Sequence, residues 1–409
     1  VPNFIQKSFR LYADSYAGHP REVWILCIVT FINRLGMTVV PFLTVYLNTI
    51  LHFDLKLAGL LVGCFGVGSF AGTWVGGKLS DKFGPRGVIF ASLVLGGVFF
   101  ILLQFVKSPL GLGSMLFLTG FFGDALRPAS MATVGNYVAK ERTGSAMALY
   151  RLAINLGFSA APAIGGFIAA STLGYVGLFW IDGLTCLGAA FFFIFASRSW
   201  RPISQKDDAT TEKEGSDTTK ESKLPPQRNL PYLAFLLATF IMGFGFIQWF
   251  HSVPVFMKSE WGFDERYIGT MMALNGLLIV VLEMPLVHQV EYAKKTKRAI
   301  AIGLVLIAAS FLPFLLRVWY GFALLAVLLL TLGEILNLPF SSSFALNLAP
   351  DNKRGEYSAW YGMTWSLTNV AGPVIGLSFA DEFGWAAFWI LIAVMAGGSM
   401  LLYRRSGAV

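Results

Sequence analysis

Charge is what this chain has least of. Only 13% of its 409 residues are Asp, Glu, Lys or Arg, about half of the roughly 25% usual in soluble domains. With 56% of residues hydrophobic and a mean hydropathy of +0.65, too little polar surface remains to cover a water-soluble fold. Histidine and cysteine are scarce as well. The four histidines, His19, His52, His251 and His288, are scattered, and the three cysteines, Cys27, Cys64 and Cys186, each lie inside an apolar stretch. Neither a zinc motif nor a disulfide framework has that spacing. No H-E-x-x-H and no paired C-x-x-C occurs. Gly72 to Lys78 fits G-x(4)-G-K, but Leu79 stands where Ser or Thr would hold magnesium, so nucleotide hydrolysis is not expected. The reading is of a protein that is not an enzyme and has no metal or organic cofactor. No basic region followed by a short apolar run and a cleavage site precedes the first apolar segment, so a cleaved signal peptide is not expected.

What the chain has instead is long apolar runs. Segments near 22–49, 56–80, 87–106, 113–138, 145–170, 174–197, 230–257, 266–290, 299–316, 320–346, 356–379 and 384–403 each approach or exceed the length needed to cross a bilayer, about 20 residues of helix. Barrel strands would be short and alternating. The expected fold class is therefore an all-α membrane protein with twelve transmembrane helices. Residues 1–21, with Phe4, Phe9, Leu11 and Tyr12 among Lys7, Arg10 and Arg21, suit an amphipathic segment lying on the membrane surface. Residues 198–229, which include QKDDATTEKEGSDTTKESK, read as a soluble linker between a bundle at 22–197 and a second at 230–405.

The basic residues set the orientation. Lys78, Lys82, Arg86, Lys140, Arg142, Lys294, Lys295, Lys297, Arg298, Lys353, Arg354, Arg404 and Arg405 all fall on one side of the spans, together with the linker. That side is expected to be cytoplasmic, with both termini on it, in the cell's inner membrane. A net charge of +8 then reflects topology, and no nucleic-acid partner is implied. The two halves also repeat. A shift of 211 residues places Gly144 on Gly355, Tyr150 on Tyr361, Pro162 on Pro373 and Gly165 on Gly376, while a shift of 210 places Gly123-Asp124 on Gly333-Glu334.

Between the second and third spans runs GGKLSDKFGPRG, Gly76 to Gly87, expected to form a tight loop. Gly77, Asp81, Lys82, Gly84 and Arg86 fall at the spacing G-x-L-x-D-K/R-x-G-x-R/K. This resembles the signature loop of the major facilitator superfamily, in which Gly77 would allow close helix approach and Asp81 would face the N-terminal dipole of another helix. The resemblance implies two pseudo-symmetric six-helix bundles with a substrate site between them near the bilayer midplane. In the fifth span, Gly157, Ala161, Pro162, Gly165 and Gly166 resemble the signature of that superfamily's drug/proton antiporters, with Ala161 where Gly is usual. Gly372 and Pro373 supply a similar kink motif in the second half.

An ionisable group inside the bilayer costs about 2.5–3.5 kcal/mol on insertion scales, so each one needs a partner or a role. The candidates are Arg34, Asp124, Arg127, Arg151, Asp182, His251, Glu283 and Glu334. Asp124 and Arg127, three apart, can face each other on one helix, and Asp124 is also a partner for Arg34. Glu334 has no cation within a turn of its own helix and leads the candidates for proton coupling or for a positive group on a substrate. Glu283 lies nearer a membrane face. Arg151 and Asp182 lie closer still to the faces, where structural roles are as plausible. Asn33-Arg34, the run Tyr150 to Gly157, and Gly333-Glu334 look like pieces of proton-coupled oligopeptide symporters, but the paired glutamates of their first-helix motif are absent. The resemblance therefore implies a monomeric, proton-coupled exporter of a small organic solute working by alternating access, with lipids and protons as its other partners. The alternative is a di/tripeptide or other nutrient symporter.

Overall fold

The computed structural model describes residues 18–138, 143–198, 200, 225–316, 318–348 and 354–407. The amphipathic segment expected at 1–21 and the linker at 198–229 lie almost entirely outside the described residues. The described residues are helical with no strand, and eleven helices are long and apolar enough to cross a membrane. This is an integral membrane protein.

The helices follow the apolar runs closely, because in hydrocarbon a backbone must satisfy its own hydrogen bonds. The first span is α1 (Arg21–Leu35) and α2 (Val39–Val45), continued by a π-helical turn at Tyr46–Ile50. Then come α3 (Leu55–Phe83), α4 (Pro85–Leu103), α5 (Pro109–Tyr137), α6 (Thr143–Ala169) and α7 (Gly174–Ala196). After the linker follow α8 (Leu230–Ser259), α9 (Glu265–Tyr292), α10 (Thr296–Ala309), α11 (Tyr320–Asn347) and α12 (Arg354–Ser406). In α12 only Gly384, at φ 80°, leaves helical geometry. A 51-residue apolar helix would be about 77 Å long at 1.5 Å per residue, far beyond a bilayer. Its reversal occurs at that one glycine.

Two elements differ from the sequence reading. The loop expected over Gly76 to Gly87 is a single residue. Helix α3 continues to Phe83, Gly84 turns at φ 82°, ψ 147°, and Pro85 starts α4. That backbone region is open essentially only to glycine, and proline is favoured at a helix's first position. The first span, expected to be continuous, is broken between Leu35 and Val39. Pro41 has no N–H for the Met37 carbonyl four residues earlier, and its ring would clash with that carbonyl in an unbroken helix.

Packing joins α3 to α5, α4 to α5 and α7, and α1 to α6 and α7. It joins α8 to α12, α9 to α11, and α10 to α11 and α12. Three seams tie the first set to the second: α6 on α9, α3 on α12, and α2 on α8. Small residues make the seams possible. A Cβ on Gly269 would collide with the Pro162 carbonyl oxygen and one on Gly276 with Ser159. A Cβ on Gly59 would lie 2.5 Å from the Pro373 carbonyl oxygen. All these residues lie toward the helix ends that carry His52, remote from the ends that carry Gly84. The buried apolar residues tell the same story. One cluster takes in α2, the His52 ends of α3–α7, and residues of each of α8–α12, whereas the Gly84 ends of α1 and α4–α7 form a core of their own. The two sets of helices therefore share a core at one end and part at the other.

Candidate functional site

At the break in the first span, Arg34 occupies the last turn of α1 and is buried at 4% exposure. Its Nη2 lies 3.6 Å from Asp124 Oδ1 on α5, and its Nη1 donates to Met37 Sδ at 2.7 Å. The guanidinium also stands over the Phe158 ring of α6, 5.2 Å from the centroid. Arg127 Nη2 reaches the same Asp124 oxygen at 3.5 Å, three residues along α5. Ser69 of α3 donates its hydroxyl to Asp124 Oδ2. One carboxylate thus gathers two guanidiniums and a hydroxyl from three helices. Arg34 and Asp124, with Asn33, Ser92, Thr119 and Cys186, line a cavity of about 20 Å³, room for roughly one water molecule.

Glu334 on α11 is held differently. Asn275 of α9 donates Nδ2 to Glu334 Oε2 at 3.3 Å and to Thr331 Oγ1 at 3.0 Å. Among the described residues no Lys, Arg or His nitrogen comes within 4.0 Å of the Glu334 carboxylate. Glu283, two turns along α9 from Asn275, stands 4.0 Å from Arg151 Nη2 of α6, with side-chain exposures of 25% and 67%. That ion pair joins the two sets of helices on the side where their cores part.

At the opposite end the joint is closed. Glu265 Oε1, at the start of α9, accepts from the Tyr175 hydroxyl of α7 at 2.8 Å and from Lys258 Nζ of α8 at 2.8 Å. Arg266 Nη2 donates to the Ala170 carbonyl at 3.3 Å. Among the described residues no group of three or more His, Cys, Asp or Glu could hold a metal ion.

The structure places the remaining sequence candidates as follows. Asp81 is exposed and makes no hydrogen bond or ion pair among the described residues. Lys82 lies over the Phe83 ring, and Arg86 Nε donates to Ser197 Oγ at 3.0 Å. The close approach expected at Gly77 is found elsewhere. A Cβ on Gly77 would be 3.8 Å from Pro128, an ordinary contact, whereas Gly68, Gly72 and Gly76 lie directly on the α5 backbone at Phe117, Phe121 and Ala125. These three are four residues apart and so share one helix face. In the kink motif, Gly157 meets Arg34, Gly165 meets Thr38 and Phe42, and Gly166 meets Glu265. Helix α6 continues through Pro162. Gly372 lies against Ile247, and the Gly372 carbonyl accepts from Gln248 Nε2 at 2.9 Å.

Two partners escaped the sequence reading. Glu283 and Arg151, each judged near a membrane face, are partners in space. Asp182 of α7, 1% exposed, caps the start of α2. The available signal for the second was Pro41, since a break in the first span leaves backbone N–H groups that a membrane cannot satisfy.

A family model described as the Major Facilitator Superfamily matches residues 26–369 and 253–408, and the chain belongs to that superfamily. Multidrug resistance protein 2 of Bacillus subtilis is 28% identical to it over 364 residues, 85% of each chain. A Na(+), Li(+), K(+)/H(+) antiporter of Planococcus maritimus is 24% identical over 397 residues, covering 90% of this chain and 92% of the other. Among solved structures, a POT family transporter in complex with 5-aminolevulinic acid superimposes with a TM-score of 0.78 over 95% of this chain and 96% of that one, at 16% identity. That last likeness concerns the fold alone. The chain is a transporter and not an enzyme.

Proposed function

We propose that this protein is a proton-coupled secondary transporter that exports a small organic solute, lipophilic or cationic, by alternating access. Two six-helix bundles, α1–α7 and α8–α12 with α12 crossing twice about Gly384, rock against one another. The Gly84 ends face the cytoplasm, since the basic residues Lys78, Lys82, Arg86, Lys294, Lys295, Lys297, Arg404 and Arg405 gather there. The described conformation is then open to the inside and closed outside. Asp81, which makes no hydrogen bond or ion pair among the described residues, latches the inner side in the opposite state.

The observation that carries this reading is the contrast between two carboxylates within the spans. Asp124 lies between two arginines, while Glu334 accepts from an amide and, among the described residues, has no cation within 4.0 Å. A buried acid without a countercharge is the group whose protonation differs most between a wet and a dry surrounding. Glu334, with Glu283 beside the inner opening, exchanges the proton. Asp124, Arg34 and Arg127 hold the first bundle in register with that exchange. Protonation biases the conformations only by the difference in proton affinity between them. The names of the multidrug and antiporter relatives support export of organic solutes and proton exchange.

The test is transport in proteoliposomes under an imposed pH gradient. Solute and proton should move in opposite directions, and Glu334→Gln should abolish gradient-driven transport while sparing downhill exchange. Movement of both in the same direction, with dipeptides as solute, would establish the symporter reading instead. Unchanged concentrative transport by Glu334→Gln would remove Glu334 from the mechanism.

A further inference from the structure

The carboxylate of Asp182 accepts three hydrogen bonds, and among the described residues no cation takes part. Oδ1 accepts from the Thr38 backbone N–H at 2.8 Å and from the Thr38 hydroxyl at 2.6 Å, and Oδ2 accepts from the Val39 backbone N–H at 3.0 Å. The Val39 amide is the first of α2, one that a helix leaves without an internal partner, and the Thr38 amide, at the cap, is shared with the Gly36 carbonyl at 2.7 Å. The negative charge also sits at the positive end of the helix dipole.

The break it holds is packed from both sides. Thr185, one turn further along α7, fills the space in which a side chain at Gly36 would lie. Asn33 Nδ2 donates to Cys186 Sγ at 3.2 Å. From α6, Gly157 presses on Arg34 and Leu35, and Gly165 presses on Thr38. Met37, inside the break, takes Arg34 Nη1, which leaves Nη2 for Asp124. If residues 36–38 were free to take another conformation, Met37 would move with them and Arg34 would lose its contact with Met37 Sδ.

We infer that Asp182 is a positioning residue: by capping α2 it fixes the geometry of the break that Pro41 imposes, and the break so held aims Arg34 at Asp124. The inference rests on the proposed transport role of that pair only for its functional consequence. The geometric part stands apart from it.

The experiment therefore has two arms. In detergent, thermal midpoints of Arg34→Ala, Asp124→Ala and the double variant give the coupling between Arg34 and Asp124, measured once in the native background and once with Asp182→Asn. The amide of Asn cannot accept at both oxygen positions, so the Val39 N–H loses its acceptor. The coupling should be a few degrees in the native background and vanish with Asp182→Asn. Coupling that survives unchanged overturns the inference. Should Asp182→Asn fail to fold, Thr38→Val, which removes only the hydroxyl bond, should reduce the coupling without abolishing it, and no reduction overturns the inference.

In proteoliposomes, Asp182→Asn should lower gradient-driven transport about tenfold and displace its pH profile in the direction that Arg34→Ala does. The double variant Asp182→Asn with Arg34→Ala should be no worse than Arg34→Ala alone. Losses that multiply mean that Asp182 acts by some route other than Arg34, and overturn the inference. Lost coupling in detergent together with normal transport by both single variants supports the positioning and faults the transport role of Arg34.

Discussion

Arg151 and Glu283 meet at 4.0 Å across the line where the two sets of helices part, with the arginine side chain 67% exposed. An ion pair so open to water contributes little to stability, about 0–1 kcal/mol. Arg151→Ala and Glu283→Gln should therefore each shift the thermal midpoint by a degree or two at most. If the two sets of helices rock as proposed, transport by these variants should change by much more, because the pair made here would separate or tighten in the other state. Differential scanning fluorimetry beside initial transport rates checks both parts. A large loss of stability with normal turnover would mark the pair as structural.

The closed end depends on small residues. A valine at Gly269 or Gly276 would force its methyl groups into the Pro162 carbonyl or Ser159. Overpacking of this kind costs about 1–3 kcal/mol, and it acts only when the His52 ends are together. Both variants should shift the population toward the form open at that end, by about 5–150-fold for such an energy. Labelling of a cysteine placed at Ala170 with a membrane-impermeant maleimide should rise accordingly, while one placed at Met284 should become less reactive.

Glu265 is the ionic part of the same closure. Glu265→Gln removes the charge that Lys258 faces and weakens the bond from Tyr175, a loss of about 1.5–3 kcal/mol for a charge-assisted pair. Tyr175→Phe removes a single hydrogen bond, about 1 kcal/mol. The expected order of opening at the His52 end is Glu265→Gln above Tyr175→Phe above native, measured by the same labelling assay. Equal labelling in all three would deny the cluster any part in closure.

Gly84 carries a different kind of constraint. Its φ of 82° with ψ 147° is strained for any residue with a Cβ, at about 1–3 kcal/mol, although nothing lies within 4 Å of where that Cβ would be. Gly84→Ala should lower the thermal midpoint by a few degrees, and Asp81→Ala should leave it unchanged, since Asp81 makes no hydrogen bond or ion pair among the described residues. If Asp81 latches the other conformation, Asp81→Ala should nevertheless slow transport.

Hydropathy located nearly every helix to within a few residues, because a chain in hydrocarbon satisfies its backbone locally and its apolar residues need only face lipid or one another. The same locality explains the misses. Nothing in the run Gly76 to Gly87 distinguishes a loop from a helix that continues to Phe83 and reverses at one glycine. The interruption at 36–38 was hidden because its neighbours are as apolar as any span, and only Pro41 hinted at it. Arg34 with Asp124 was legible as a charge needing a counterpart, whereas Arg151 with Glu283 was not, since each alone sits near enough to a face to be solvated.

The amino-acid order alone determined that this is a helical membrane protein with a handful of ionisable groups where the bilayer resists them, because burying a charge is costly wherever the chain goes. Only the tertiary structure decided which partner each group has. Asp182 sits 144 residues from Thr38, and it could be found there only after α7 packed beside the broken first span. Hydrogen bonds reach about 3 Å, and at that range what matters is which helices lie side by side.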